Sequence, residues 1–259
     1  MIQDAAGNLY GTASGGGATS TCEPPYGCGV VFKLSPSGAY TILHSFTGAD
    51  GASPEAGLVR DAAANLYDTT ARGGAYNSTC DPPYGCGVVF KLTLTGTETV
   101  LHSFAGADGG PFPSGLIQDA EGNLYGTTLE GGEPGNCFSG SCGVVFKVSP
   151  SGTETVLYSF TEGAGGANPY AGLTRDAAGN LYGTTYDGGA KSGACEQPTC
   201  GVVFRLSPTG TETVLHTFTG GTDGGTPYAG LIQDAAGNLY GTTSHGGAYG
   251  HGVVFRLTP

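Results

Sequence analysis

The sequence predicts an all-β fold, a β-propeller of about five four-stranded blades whose last blade lacks its outer strand. Two observations carry that expectation. One unit recurs along the chain, and each full copy holds four short strand-like runs separated by turn residues, with no helical periodicity. Aligned on one aspartate, the copies fall at Asp4, Asp61, Asp119, Asp176 and Asp234, in steps of 57, 58, 57 and 58 residues. Four short strands per unit of that length describe a propeller blade. A β-solenoid is the alternative, although its coils are usually shorter and its joints less hairpin-like.

Strand A is the short run before the aspartate, as in Leu116-Ile117-Gln118. The Asp-Ala-Ala-Gly-Asn stretch that follows is a turn, because Asp and Asn bond nearby backbone and Gly tolerates positive φ. Strand B is Asn-Leu-Tyr-Gly-Thr-Thr, which ends in a Gly-Gly loop. Strand C reads Gly-Val-Val-Phe-Lys/Arg-Leu in most copies, opening at Gly29, Gly87, Gly143, Gly201 and Gly252, and its β-branched and aromatic residues favour a strand. A turn such as Ser-Pro-Ser-Gly leads to strand D, Thr-Val-Leu-His-Ser-Phe or similar, which ends at Phe46, Phe104, Phe160 and Phe218. The chain reads as a single repeat domain, 1–259, with units 1–57, 58–115, 116–172 and 173–230 and a partial unit 231–259. The last unit offers A, B and C only, so Gly252, Val253, Val254, Phe255, Arg256 and Leu257 form an exposed edge that another strand could join.

Composition narrows the class. Fifty glycines and 15 prolines in 259 residues suggest tight turns, while the regular spacing of the apolar runs argues against a disordered tract. A net charge of −12 leaves no basic footprint for nucleic acid, and an anionic membrane would repel such a surface. No apolar run approaches the roughly 20 residues of a membrane-spanning helix, so no membrane insertion is expected. Met1 falls on a position held elsewhere by the leucine of Gly115-Leu116, so the start reads as a trimmed one without a signal peptide.

Eight cysteines form four close pairs, each at the same place in its repeat: Cys22/Cys28, Cys80/Cys86, Cys137/Cys142 and Cys195/Cys200. Even count and local spacing predict four disulfide-closed loops and an oxidising compartment, extracellular or cell-surface. Zinc fits less well, since no pair has two-residue spacing and no histidine accompanies each one. The runs Asp-Ala-Ala-Gly-Asn-Leu-Tyr-Gly-Thr-Thr, Gly-Gly, Gly-Val-Val-Phe-Lys-Leu and Leu-His-Ser-Phe resemble the GloVer-type tandem repeat over the whole chain. That resemblance implies a secreted or surface-anchored bacterial protein and implies little biochemistry. The Asp-x-x-Gly-Asn-Leu-Tyr hairpin is also similar to NHL-type propeller repeats, which bears on fold more than function.

Strand alternation places the A–B and C–D turns on one face and the B–C and D–A loops on the other. The second face has the long, variable loops and every cysteine, so recognition is expected there. Its aromatics, Tyr26, Tyr84, Phe138, Tyr170, Tyr228 and Tyr249, could stack on sugar rings, or merely pin loops to the blade edges. Repeat-breaking residues come next: Asp68 in place of a strand-B glycine, Glu55 near the tyrosine position, and Ser14, Arg72, Glu130, Asp187 and His245 around the Gly-Gly loop. Convergence of Glu130, Asp187 and His245 would allow acid–base work on a glycosidic bond, and ordinary drift explains the same residues.

His44, His102 and His216 share a strand-D position with Tyr158, as expected for half-buried aromatic fillers. His245 and His251 form a weak metal hint. No cofactor is expected, and calcium is a possible ion at Asp50, Asp108 and Asp223 before glycine-rich loops. Lys33, Lys91, Lys147, Arg205 and Arg256 recur on strand C and are expected to pair with Glu98, Glu154 and Glu212 across the strands. Asn77-Ser78-Thr79 matches an N-glycosylation acceptor. The functional expectation is an extracellular non-catalytic structural or binding module, its partner a carbohydrate or another copy of itself. A polysaccharide-active enzyme using loop-face carboxylates is the alternative.

Overall fold

The computed structural model describes residues 1–259 except 18–21, 23–25, 77–79, 81–83, 136, 138–139, 193 and 196–198. Phe138 and Asn77-Ser78-Thr79 therefore lie outside the described residues.

The expected strands form. The first sheet comprises β1 (Ile2–Gln3), β2 (Leu9–Ala13), β3 (Val30–Leu34) and β4 (Tyr40–Ser45). The second comprises β5 (Val59–Arg60), β6 (Leu66–Thr69), β7 (Val88–Leu92) and β8 (Glu98–Ser103), and the third β9 (Ile117–Gln118), β10 (Leu124–Thr128), β11 (Val144–Val148) and β12 (Glu154–Ser159). The fourth holds β13 (Thr174–Arg175), β14 (Leu181–Thr185), β15 (Val202–Leu206) and β16 (Glu212–Thr217), and the fifth β17 (Ile232–Gln233), β18 (Leu239–Thr242) and β19 (Val254–Leu257). Strands are hydrogen-bonded in sequence order within every sheet, and the fifth stops at three. Consecutive strands such as β1–β2, β5–β6 and β14–β15 pair antiparallel, as tight turns between them require. A one-turn 3₁₀ segment, Gly163–Gly165, is the only helical element among the described residues.

The repeated aspartate organises the A–B hairpin. Asp4 Oδ1 accepts the Ala6 and Asn8 backbone N–H groups, while Oδ2 accepts from Asn8 Nδ2 at 2.8 Å and the Tyr10 hydroxyl at 3.0 Å. The same Asp–Asn–Tyr clip recurs at Asp61, Asp119, Asp176 and Asp234. Hydrogen bonding to Asn8 leads the effects that lower the Asp4 carboxyl to about 2. The turn glycine needs positive φ, and the second copy carries Ala64 there at φ 67°.

The strand-C glycine has a second steric reason. At Gly87, φ is 86° and a Cβ would run into the Thr70 carbonyl oxygen; Gly201 stands in the same relation to Thr185. The Gly-Val-Val-Phe block is thus required by close approach of strand B's end.

Strand-C basic residues and strand-D glutamates do not pair as expected. Lys91 lies opposite Thr99, and Glu98 opposite Leu92. Neighbouring residues of a strand point to opposite faces, so Lys91 and Glu98 are on different sides of the sheet. Lys33, Lys91 and Lys147 instead lie 5.9–6.0 Å from the ring centres of Tyr10, Tyr67 and Tyr125.

The chain divides into two compact units, Met1–Tyr125 with Lys147–Thr155, and Gly126–Phe146 with Val156–Pro259. In the first, Tyr10, Phe46, Leu66, Phe90 and Leu92 share a buried cluster. In the second, Tyr182, Val203, Phe218, Leu231 and Leu239 do so. The joining contact repeats: the Phe closing strand D meets the strand-C Phe of the next sheet edge-on, at 5.1 Å for Phe46–Phe90 and 5.3 Å for Phe160–Phe204. That edge-to-face geometry is favoured by the ring quadrupoles.

Candidate functional site

Four disulfides form with the expected partners, Cys22–Cys28, Cys80–Cys86, Cys137–Cys142 and Cys195–Cys200. Each closes a B–C loop of the variable face. The D–A loops are tied to these loops by backbone. Asn168 N–H donates to the Cys142 carbonyl at 2.9 Å, and Thr226 N–H to Cys200 at 2.8 Å. A short antiparallel bridge then joins three D–A loops to the B–C loops that follow them: Ala52↔Arg72 in the first unit, Ala167↔Asp187 and Gly225↔His245 in the second. The residues preceding the loop prolines, Ser53, Phe112, Asn168 and Thr226, all carry positive φ, between 49° and 62°. Strain recurring at one repeat position marks a loop geometry that the surrounding bonds over-determine.

In the second unit this scaffold gathers three tyrosines. Ring centres of Tyr170 and Tyr228 are 5.2 Å apart, and Tyr186 lies 5.5 Å from the first and 4.9 Å from the second. Tyr170 is 45% exposed and Tyr228 49%. Two of the expected carboxylates are near enough for their charge to act on Tyr170. Burial, then Tyr228, Asp187 and Glu130 in that order, raise the Tyr170 hydroxyl. Burial also raises the Glu130 carboxyl, and burial followed by Glu162 raises Asp187 to about 6. His245 takes another arrangement, its Nδ1 lying 2.6 Å from Thr226 Oγ1 and 2.9 Å from Ser244 Oγ. Tyr249 stands 88% exposed in the fifth unit's loop.

In the first unit, Ser14, Tyr26, Ser53, Glu55, Arg72 and Tyr84 line a cavity of about 310 Å³. Arg72 sits 4.8 Å over the Tyr84 ring, and that pair also borders a cavity of about 270 Å³ containing Phe112. Tyr186, Phe112 and Arg72's place on Tyr84 were not legible as site features. The one available signal was that Tyr186 replaces Ala71, Leu129 and Ser244 at its repeat position.

Away from these loops, the strand-D histidines are fillers with a polar tip. Their rings stand edge-on to Phe46, Phe104 and Phe218 at 4.8–5.0 Å, and Tyr158 does the same on Phe160. Each Nε2 meets an aspartate, His44–Asp50 and His102–Asp108 at 3.0 Å and His216–Asp223 at 3.2 Å. The aspartates also shape their turns, Asp50 accepting the Thr47 N–H at 2.7 Å. Glu98 is raised to about 7 by burial and then Asp50, and Glu154 to about 7 by burial above all.

On the fifth sheet, β19 has no strand on its outer side among the described residues. Val254 is 81% exposed there, while Phe255 packs on Phe218 at 5.2 Å. His216, Asp223 and Val253 to Leu257 line a groove of about 340 Å³ along this edge.

Repeated four-stranded antiparallel sheets, joined Phe to Phe and carrying disulfide-closed loops, define a β-propeller-type repeat protein. Solved structures agree on that class. The luciferin-regenerating enzyme is 16% identical with a TM-score of 0.53, over 92% of this chain and 75% of its own. PorZ, a surface component of the type-IX secretion system of Porphyromonas gingivalis, is 14% identical with a TM-score of 0.51, over 88% and 30%. The extracellular domain of a one-component system protein of B. thetaiotaomicron is 12% identical with a TM-score of 0.52, over 89% and 25%. No curated protein matches the sequence. The chain belongs to the Gloeobacter/Verrucomicrobia repeat family, whose model matches residues 1–193 and 78–259.

Proposed function

We propose that this chain is an extracellular, non-catalytic binding module whose loop face contacts carbohydrate. The observation that carries the reading is the Tyr170–Tyr186–Tyr228 cluster, held half-exposed on disulfide-braced loops beside Glu130 and Asp187. Sugar rings present apolar C–H faces flanked by hydroxyls, and aromatic faces next to carboxylate acceptors complement both. Loops already fixed by disulfides and backbone bridges lose little entropy on binding. Four disulfides fit an oxidising location, and two solved relatives of like fold are described as extracellular or surface components.

Affinity electrophoresis in polysaccharide gels, followed by glycan-array binding, tests this. Tyr170→Ala with Tyr228→Ala is expected to abolish retardation, since losing a stacking ring costs about 1–3 kcal/mol, or roughly 5- to 150-fold per ring. Retardation unchanged in that variant would remove the tyrosine site from consideration. Product release from the same polysaccharides, lost in Asp187→Asn, would instead favour the enzyme reading, for which the raised carboxyls Asp187 and Glu130 are suitable acids.

Self-association is a second reading, favoured by the β19 edge. Light scattering across a concentration series would show mass growth that Val254→Pro, which removes an edge donor, suppresses. A concentration-independent monomer would exclude it.

A further inference from the structure

The strand-D histidines meet a second carboxylate that comes from the next sheet. Glu98 opens β8 and reaches the His44–Asp50 pair of the first sheet. Glu154 opens β12 and does the same for His102–Asp108 of the second. In each group one histidine nitrogen, one aspartate oxygen and one glutamate oxygen all lie within 4.8 Å of one another. Both groups lie wholly within the first compact unit. Oε1 of Glu98, Glu154 and Glu212 is buried without a hydrogen-bond partner, but among the described residues only Glu98 and Glu154 have a histidine and an aspartate beside them. A fold that turns a glutamate inward, next to an aspartate and with a buried oxygen unanswered, twice in succession, lacks a positive centre at both places.

We infer that these two groups are divalent transition-metal sites, with Zn²⁺ as the fitting ion. One imidazole nitrogen and two carboxylate oxygens are a zinc donor set, with bonds of about 2.0–2.2 Å. Closing three donors from 4.8 Å onto such an ion needs only small rotations of the half-buried Glu98 and Glu154 side chains. Calcium, the ion weighed for Asp50, Asp108 and Asp223 alone, takes six to eight oxygen ligands and fits an imidazole poorly. All eight cysteines are taken up in disulfides and do not compete for the ion. Binding replaces the His–Asp hydrogen bond with two metal bonds and draws the glutamate in as the third ligand. Each site therefore clips the end of one sheet to the start of the next sheet's outer strand.

The chain carries its own controls. After the third strand D, Tyr158 stands in the histidine's place, and no aspartate accompanies Glu212. After the fourth, His216 and Asp223 pair, with no glutamate reaching them among the described residues. Two complete sets and two partial ones predict two ions per chain.

The test is zinc titration of the full chain by calorimetry, with metal analysis after chelator treatment and desalting. Two equivalents are expected, with calcium at least about tenfold weaker. Glu98→Gln and Glu154→Gln should each remove one equivalent, and the double variant both. His102→Tyr should also remove one; it installs the side chain that the third copy already carries on its own Phe, so its folding is not at risk. Zinc should raise the thermal midpoint of the parent and not of the double variant. Absence of saturable uptake, a stoichiometry indifferent to these substitutions, or calcium binding as tightly as zinc would each overturn the assignment.

Discussion

Asp68 is the residue whose replacement should change stability most. It occupies the strand-B position held by Gly11, Gly126, Gly183 and Gly241 in the other copies. Gly11, Gly183 and Gly241 lie against the strand-C phenylalanine, so Asp68 places a carboxyl in an apolar layer. Asp68 is fully buried, and neither carboxyl oxygen has a hydrogen-bond partner. Burial, the leading cause, pushes it up to about 7. The unfolded carboxyl ionises near 3.8. Between these values the unfolded chain has given up its proton and the folded chain keeps it, so stability falls as pH rises from about 4 to about 7 and is flat beyond. A separation of about three pH units corresponds to about 4 kcal/mol at most. Below pH 4, Asp68→Gly removes only a neutral acid without a partner, a gain of about 1–3 kcal/mol less the roughly 0.5–1 kcal/mol cost of glycine in a strand. At pH 8 the gain should be larger by up to about 4 kcal/mol. Urea unfolding of parent and variant at half-unit steps from pH 4 to pH 8 measures the difference directly. A pH-independent difference, or a variant less stable than the parent at pH 8, would refute the reasoning.

Two further outcomes follow from local geometry. Ala64→Gly relieves the positive φ of the second hairpin turn and should raise stability by about 1 kcal/mol, read as a higher thermal midpoint. Reducing agent should lower that midpoint sharply, because each five- or six-residue disulfide loop is worth about 2 kcal/mol in the chain-entropy account. Cys195→Ser with Cys200→Ser should lose one such increment and destabilise the D–A loop that Thr226 bonds to Cys200.

Architecture was legible because it rests on local chemistry repeated many times. The Asp–Asn–Tyr clip, the Gly-Val-Val-Phe block and the cysteine pairs each act within one unit, and repetition multiplied their signal. Features that needed two units at once were not legible. His44 and Glu98 are far apart in sequence and meet only when consecutive sheets pack. Tyr186 gains meaning only beside Tyr170 and Tyr228, which enter from other loops. The expected Lys91–Glu98 pairing failed for a different reason, a count of strand positions: one residue of register sends the two side chains to opposite faces.

The short bridge between these three D–A loops and the next B–C loops has a consequence for how such chains diversify. Arg72, Asp187 and His245 occupy its variable position, and there the backbone alone makes the bridging bonds. The bridge therefore does not depend on the side chain, and cation, anion and imidazole have all been accepted there. Each of these positions can be re-specified by one codon while the backbone bridge is kept. A tandem array built this way can lengthen by duplication first and acquire distinct contacts afterwards, one unit at a time.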